Sequence, residues 1–568
     1  MNEIEKEAKG QWEDFRRTWS IEKLNQMTLR QYYSKDNENC FCKALYATRH
    51  ALGDPNARPE HYGIWEFSNE PANRFHHDDT YAWPGNSDAA EDEFKIIIDK
   101  IQRIANFANC GNLGEIERID FSQAVKWKIA FMYQPNWDDW CIYPVFGGGW
   151  PRFAARNYDQ SKTCAELQRL ISDRKNLSCE ESCYEFYQRI LIEKKYCDLI
   201  ENNGQIILHG APGTGKTYLA LNVLAPMLTD GDKSRIKMVQ FHPGYDYSDF
   251  IVGLKPKLVG KEGAEQVSFE WRSGVFKTIA EEARGALDKA AQRYNEDTSL
   301  DKTFDPPKYV LVIDEINRAD LSNVFGEVFS RMERGYRYGY ETDKDGRLKK
   351  DKNGQFKKKN EDGVELPSTK EEKDKDGKIV HVHESLVIPD NLYIIGTMND
   401  IDRSVESMDF ALRRRFAWRK VGADDTKNAI LSKFEKKDFD KLTNAMKALN
   451  DWIRKPESRL GEAYEIGAAI FAQLELYGDE NGKYDDAAYE SLWDNHLSII
   501  LREYLRGQDA DGKILEKLKK KYDGKDQTED PDGKGKSKKE KKNKTESDEN
   551  DDQDGTPPLE SGSNTGEG

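Results

Sequence analysis

The chain has no cysteine beyond residue 197, only nine histidines in 568 residues, and no apolar run approaching the ~18 residues a membrane-spanning helix needs. Each absence excludes something. With no spanning run, and a charged start at Met1-Asn-Glu-Ile-Glu-Lys6 in place of an apolar leader, the protein is expected to be cytoplasmic and without a membrane partner. The eight cysteines, Cys40, Cys42, Cys110, Cys141, Cys164, Cys179, Cys183 and Cys197, contain no C-x-x-C pair, and no histidine lies between Cys164 and Cys197. Reduced thiols are therefore expected in place of a zinc cluster or a disulfide framework. His76-His77 beside Asp78-Asp79 reads as a polar loop. No histidine cluster or serine or cysteine triad stands in a recognisable setting, so no nuclease activity is expected in this chain. A balance of 87 Lys and Arg against 103 Asp and Glu, net −16, excludes a protein that coats nucleic acid by bulk charge. Any DNA contact must be local.

What is present is nucleotide chemistry. Gly210-Ala211-Pro212-Gly213-Thr214-Gly215-Lys216-Thr217 follows the apolar run Gln205–His209 and is a complete G-x-x-x-x-G-K-[ST] phosphate loop. Its glycines let successive backbone N–H groups wrap phosphates, Lys216 reaches the β- and γ-phosphates, and the Thr217 hydroxyl ligates Mg²⁺ at a helix N-terminus. A second buried-strand pattern, Tyr309–Ile313, ends in Asp314-Glu315: Asp314 is the expected magnesium ligand and Glu315 the group that polarises the attacking water. A third, Asn391–Met398, ends in Asn399 at the edge where a doubly wound sheet places its ligand, which makes Asn399 a candidate for orienting water or the γ-phosphate.

Four stretches together resemble the AAA+ motor subunit of the McrB-type, 5-methylcytosine-specific type IV restriction systems. They are GAPGTGKT, FHPGYDYSDFIVGLKP (Phe241 to Pro256), VLVIDEINRADLSNVFGEVFSRME (Val310 to Glu333) and IPDNLYIIGTMNDIDRSVESMDFALRRRFAW (Ile388 to Trp418). The resemblance covers about residues 190 to 505. It implies an NTPase working as a hexameric ring with nucleotide between subunits, a separate McrC-type nuclease partner, and DNA as a further partner. McrB-type motors use GTP and most AAA+ proteins ATP, and nothing local to the phosphate loop reads the purine. Where the family signature reads Met-Asn-Thr-Ala-Asp-Arg-Ser, this chain has Met398-Asn399-Asp400-Ile401-Asp402-Arg403-Ser404. Asn399, Asp402 and Arg403 are kept as catalytic candidates, and Asp400 adds a negative charge near the phosphates. The lid segment Tyr464–Phe471 lacks the family's polar pair. The resemblance also places one arginine of the run Arg413-Arg414-Arg415 near the neighbouring subunit's γ-phosphate, Arg415 being the first choice and Arg414 the next. Arg318 is a second interface candidate. A MoxR or dynein-related remodeller of protein partners is the alternative reading.

Composition divides the chain into an N-terminal target-recognition or interaction domain (1–185), an AAA+ core (190–425), a helical lid (426–510) and a disordered charged tail (511–568). The expected class is therefore α/β, a parallel sheet sandwiched by helices, with a separate α+β N-terminal domain. The first domain holds eight of the twelve tryptophans. They are expected mainly to fill its core, with a stacking cage for a flipped base as the alternative. Trp127–Tyr133 reads as a strand. Within the core, the charged insertion 341–386 carries three Asp-x-(Asp/Asn)-Gly units, at Asp343, Asp351 and Asp374, which are hairpin-turn signals. They predict a projecting hairpin or a flexible loop.

Overall fold

The apolar runs beyond residue 200 become the strands of one parallel sheet: β1 (Gln205–Gly210), β2 (Ile236–Gln240), β3 (Tyr309–Asp314), β4 (Leu392–Asn399) and β5 (Ala417–Lys420), in the order β5-β1-β4-β3-β2. The computed structural model describes residues 3–67, 75–146, 149–159, 161–176, 182–259, 266–296, 304–344, 346–373, 378–401, 413–480, 482–509 and 511–525. Central strands β1, β3 and β4 are buried almost throughout, the pattern of a sheet covered on both faces. Their register aligns Asn399 with Gly210 and, through β2, Gln240 with Asp314. The phosphate loop, the acids and Asn399 thereby meet at the C-terminal edge of the sheet.

The N-terminal region is mostly helical, with a three-stranded antiparallel sheet of very short strands. The run expected as a strand is instead helix α1 (Gln123–Tyr133), buried at every position from Val125 on. The lysines at 126 and 128 are buried too. Lys126 Nζ donates to the carbonyls of Glu117 and Ile119, and Lys128 Nζ to those of Leu52 and Gly53 at 2.9 and 3.0 Å. Seven of the eight tryptophans are buried; Trp150 is half-buried. They pack on one another and on tyrosines, as in Trp137–Trp140 and Trp137–Tyr184, so aromatic area stabilises this core. His76-His77 forms an exposed strand, not a loop. No disulfide occurs among the described residues, and Cys110 is exposed.

The expected boundaries at 185 and 190 fall inside one helix, α2 (Cys183–Asn203). Its first half buries Tyr184, Phe186, Tyr187 and Ile190, and its second half Tyr196, Cys197 and Ile200. One apolar cluster runs from the N-terminal helices through α2 into β1, β3 and β4. Ser182 starts α2 with a capping box to Glu185, and Gly204 ends it in the left-handed conformation.

Helix α3 (Lys216–Leu228) leads from the phosphate loop. It widens to a π turn over Ala220–Leu224 just before Pro226, a way to accommodate a residue with no N–H to donate. The FHPGYDYSDF element ends in an antiparallel hairpin, Val252–Val259 with Gln266–Ser273. Leu254–Trp271, Pro256–Phe269 and Leu258–Val267 pair on one of its faces, and the large apolar side chains there are exposed. In the insertion, the chain reverses at Asp343 and Asp351 through turns closed by Gly346 and Gly354. Val364–Lys373 and Ile379–Leu386 then pair antiparallel, and the third turn unit, at Asp374, lies outside the described residues. The lid has its own core around α4 (Lys436–Ile453). It extends past residue 510: helix α5 (Lys513–Tyr522) buries Leu518 and Tyr522 against it, and Tyr522 Oη donates to the Tyr489 carbonyl. The rest of the expected tail, from 526, lies outside the described residues.

Candidate nucleotide site

The loop between β1 and α3 passes through left-handed glycines at 213 and 215, and Gly215 caps α3. Lys216 is buried, and its amine donates to the carbonyls of Gly210 and Ala211 at 3.1 and 2.7 Å. Burial pushes its pKa down to about 8, against the opposing pull of Glu315, Asp400 and Asp314.

Two hydroxyls converge on one carboxylate oxygen. The hydroxyls of Thr217 and Thr397 donate to Asp314 Oδ1 at 2.7 and 2.5 Å, and Thr397 Oγ1 accepts from the Glu315 N–H. Thr397 was not singled out from sequence. Its signal is a hydroxyl inside an otherwise apolar stretch of β4. The donors are all hard oxygens, and no group of three or more His, Cys, Asp or Glu among the described residues forms a protein-only metal cage. That fits Mg²⁺, which takes one or two protein ligands and completes its shell with phosphate and water. Thr217 and Asp314 are the residues that would hold it.

Glu315 has φ 52°, ψ 46°, a left-handed conformation that costs of order 1 kcal/mol for a residue with a side chain. It turns the carboxylate back over the sheet edge. Asn399 Nδ2 donates to Glu315 Oε1 at 2.5 Å, and Arg318 Nε lies 3.4 Å from Oε2. The third-strand asparagine and the acid are thus in direct contact.

The lid closes on the phosphate loop through backbone. The Gly467 and Ala469 N–H groups donate to the carbonyls of Pro212 and Gly213, and the Thr426 hydroxyl donates to that of Thr214 at 2.6 Å. The segment that lost the family's polar pair contacts the loop with its amides. Between α2, α3 and the lid lies a cavity of about 430 Å³ lined by Tyr196, Tyr218, Val223, Asp425, Thr426 and Phe439 among others. Tyr218, the residue after Thr217 on α3, lines this cavity. Asp425 Oδ2 there accepts from the Gly422 N–H at 2.9 Å and the Tyr196 hydroxyl at 3.5 Å.

The arginine candidates separate. Arg415 is mostly buried, its Nε 3.2 Å from Glu333 and its guanidinium over the Phe329 ring at 4.5 Å, so it is engaged within its own subunit. Arg413 and Arg414 are exposed. Arg318 is tied to Glu315, as above. Asp402, Arg403 and the expected helix 405–412 lie outside the described residues. Asp400 points its carboxylate at His209, with Nδ1 3.0 Å from Oδ1.

Residues 205–416 match the AAA domain (dynein-related subfamily) family. The chain is 34% identical over 307 residues to the type IV methyl-directed restriction enzyme EcoKMcrB subunit of Escherichia coli (strain K12), covering 53% of each chain. It is 26% identical over 232 residues to the type II restriction enzyme BsuMI component YdiS of Bacillus subtilis (strain 168), covering 39% of this chain and 59% of that one. The similar stretches thus span little more than half the length of these relatives. Among the described residues, no helix is long and apolar enough to cross a membrane. Sheet order, phosphate loop, paired acids and these similarities agree: residues 205–416 form an AAA domain of the dynein-related subfamily, and the chain is similar there to the McrB subunit of a type IV restriction enzyme.

Proposed function

We propose that this chain is a Mg²⁺-dependent nucleoside triphosphatase, a hexameric ring motor that moves or remodels DNA for a separate McrC-like nuclease in a restriction or phage-defence system. The observation that carries the reading is the junction of Thr217, Asp314, Thr397, Glu315 and Asn399 at one sheet edge, directly beside the phosphate loop. In this reading the loop amides and Lys216 hold the phosphates, and Thr217 and Asp314 hold a Mg²⁺ that neutralises charge on the transferring group. Glu315 takes a proton from the water that attacks the γ-phosphorus, and Asn399 positions Glu315. Arg414, exposed where Arg415 is not, becomes the first candidate for the residue reaching a neighbour's nucleotide. The cavity beside α3 takes the base of ATP or GTP. The N-terminal domain selects the target, and its packed aromatic core supports recognition by its outer surface, not by an internal cage.

The second reading, a remodeller of protein partners, is favoured by the exposed apolar face of the 252–273 hairpin, which suits protein better than phosphodiester. Double-stranded DNA added to the protein separates the two: several-fold stimulation of turnover supports the motor reading, and no response to DNA supports the remodeller. The nucleotide assignment itself is tested with Glu315→Gln, which keeps Asp314 but removes the base. It should trap a nucleotide-loaded ring, seen by light scattering as a larger assembly with nucleotide than without. A monomer under both conditions contradicts it.

A further inference from the structure

We propose that His209 and Asp400 form a positioning pair that couples the phosphate loop of a subunit to the arginine turn which that subunit offers its neighbour, acting through Trp418. The inference rests on the NTPase reading above and adds residues to it. His209 is on β1, the strand between β4 and β5. Its register partners are Met398 on one side and Lys420 on the other. Asp400 leaves the end of β4 with its N–H donated to the Gly210 carbonyl at 3.1 Å. Its two carboxylate oxygens lie 3.0 and 3.2 Å from His209 Nδ1. An ionised carboxylate only accepts, so Nδ1 carries the proton and the tautomer is set.

On its other side the His209 ring meets Trp418 edge to face, with centroids 5.7 Å apart at 65°. Trp418 Nε1 donates to the Arg413 carbonyl at 2.8 Å, and the Arg413 guanidinium lies 5.9 Å from the same ring. A continuous set of contacts therefore runs from the first residue of the phosphate loop to the arginine run, without passing through 402–412. The pair also accounts for the acid that departs from the family signature. An unpaired carboxylate at 400 would face the incoming phosphates, whereas here it is held on an imidazole N–H. Its charge also reaches Lys216, where it favours the ammonium form.

The pair makes distinct kinetic predictions for the full chain. His209→Ala leaves Asp400 unpaired beside the triphosphate, and nucleotide KM should rise about tenfold. Adding Asp400→Asn to that variant should restore KM to within about threefold of wild type, because the charge is gone. Trp418→Leu should lower kcat with KM unchanged, and mixing it with Lys216→Ala subunits, whose arginine turn is intact, should recover turnover. Losses that multiply in the double variant, or a Trp418→Leu defect that appears in KM and resists mixing, overturn the proposal. Should His209→Ala fail to fold, His209→Gln keeps a donor to Asp400, and a KM within about twofold of wild type is expected. A tenfold rise there overturns the pair. Wild-type turnover in the same assay is the control: its absence removes the nucleotide reading itself, whereas normal wild-type turnover with multiplicative losses removes only the pair.

Discussion

Gly467→Ala tests how the lid is held. A Cβ at Gly467 would lie 2.1 Å from the Gly213 carbonyl carbon, 2.2 Å from its oxygen and 2.2 Å from the Thr214 nitrogen. All three are backbone atoms of the phosphate loop, so no side chain can rotate aside and the lid must move away. Overpacking of this kind costs about 1–3 kcal/mol. The shift also breaks the Gly467–Pro212 and Ala469–Gly213 hydrogen bonds, worth about 1 kcal/mol each. Lid docking should therefore weaken by roughly 3–5 kcal/mol, and at 1.4 kcal/mol per decade nucleotide affinity falls by about 100-fold or more if the bound state needs the docked lid. Titration with a fluorescent nucleotide reads the affinity, and far-UV circular dichroism checks that the helices remain. Gly285→Ala is the control, since its Cβ meets nothing within 4 Å and a helical alanine is neutral or slightly stabilising. Wild-type affinity in Gly467→Ala, with an unchanged fold, would refute the backbone-docking account.

Asp425→Asn should change the ratio of GTP to ATP affinity, because Asp425 lines the cavity beside α3 and a carboxylate pairs with guanine donors that adenine lacks; competition binding with both nucleotides reads it, and an unchanged ratio removes Asp425 from base recognition. Lys216 must be charged to hold phosphate, and its pKa of about 8 means that kcat/KM, which reports the free enzyme, should fall as pH rises through about 8. Bound phosphate favours the ammonium, so kcat should persist to higher pH; a kcat/KM flat between pH 7 and 9.5 contradicts the assignment. Thr397→Val removes the hydroxyl bridging Asp314 and Glu315 and should cut kcat about 10- to 100-fold, as loss of partners around a metal ligand does elsewhere; wild-type kcat would make the bridge incidental. A fragment starting at Glu185 bares Phe186, Tyr187 and Ile190, about 1.5–3 kcal/mol each, and should aggregate where the full chain is soluble; a soluble, cooperatively melting fragment would show that the two regions fold independently.

The meeting of the phosphate loop and the acids at one sheet edge was legible because the proposed ligand would dictate their spacing: glycines where backbone would meet phosphate, oxygens where magnesium would bind. Asn399 was legible from its place at a strand end. Thr397 was not, since a lone threonine in an apolar strand looks like ordinary β-propensity until its hydroxyl is seen on Asp314. The run Trp127–Tyr133, expected as a strand, is helical, because a short run rich in aromatic and β-branched residues cannot be told from a buried helix by its pattern alone; the burial of Lys126 and Lys128, which donate to carbonyls of other segments, depends on tertiary contacts. The lid boundary moved because α5 carries only Leu518 and Tyr522 as its buried anchors, too few to stand out within a lysine-rich stretch. Arg415 looked like the arginine to reach across subunits, but Glu333 and Phe329, some 80 residues earlier, hold it at home.

The most direct test of the central claim is single-turnover hydrolysis of ATP and GTP, side by side, by the purified full chain with Mg²⁺, together with Lys216→Ala and Glu315→Gln. The account predicts wild-type hydrolysis of at least one nucleotide, loss of binding or turnover in Lys216→Ala, and binding without hydrolysis in Glu315→Gln. Failure of the wild type to bind either nucleotide, or turnover by Lys216→Ala at the wild-type rate, would contradict it.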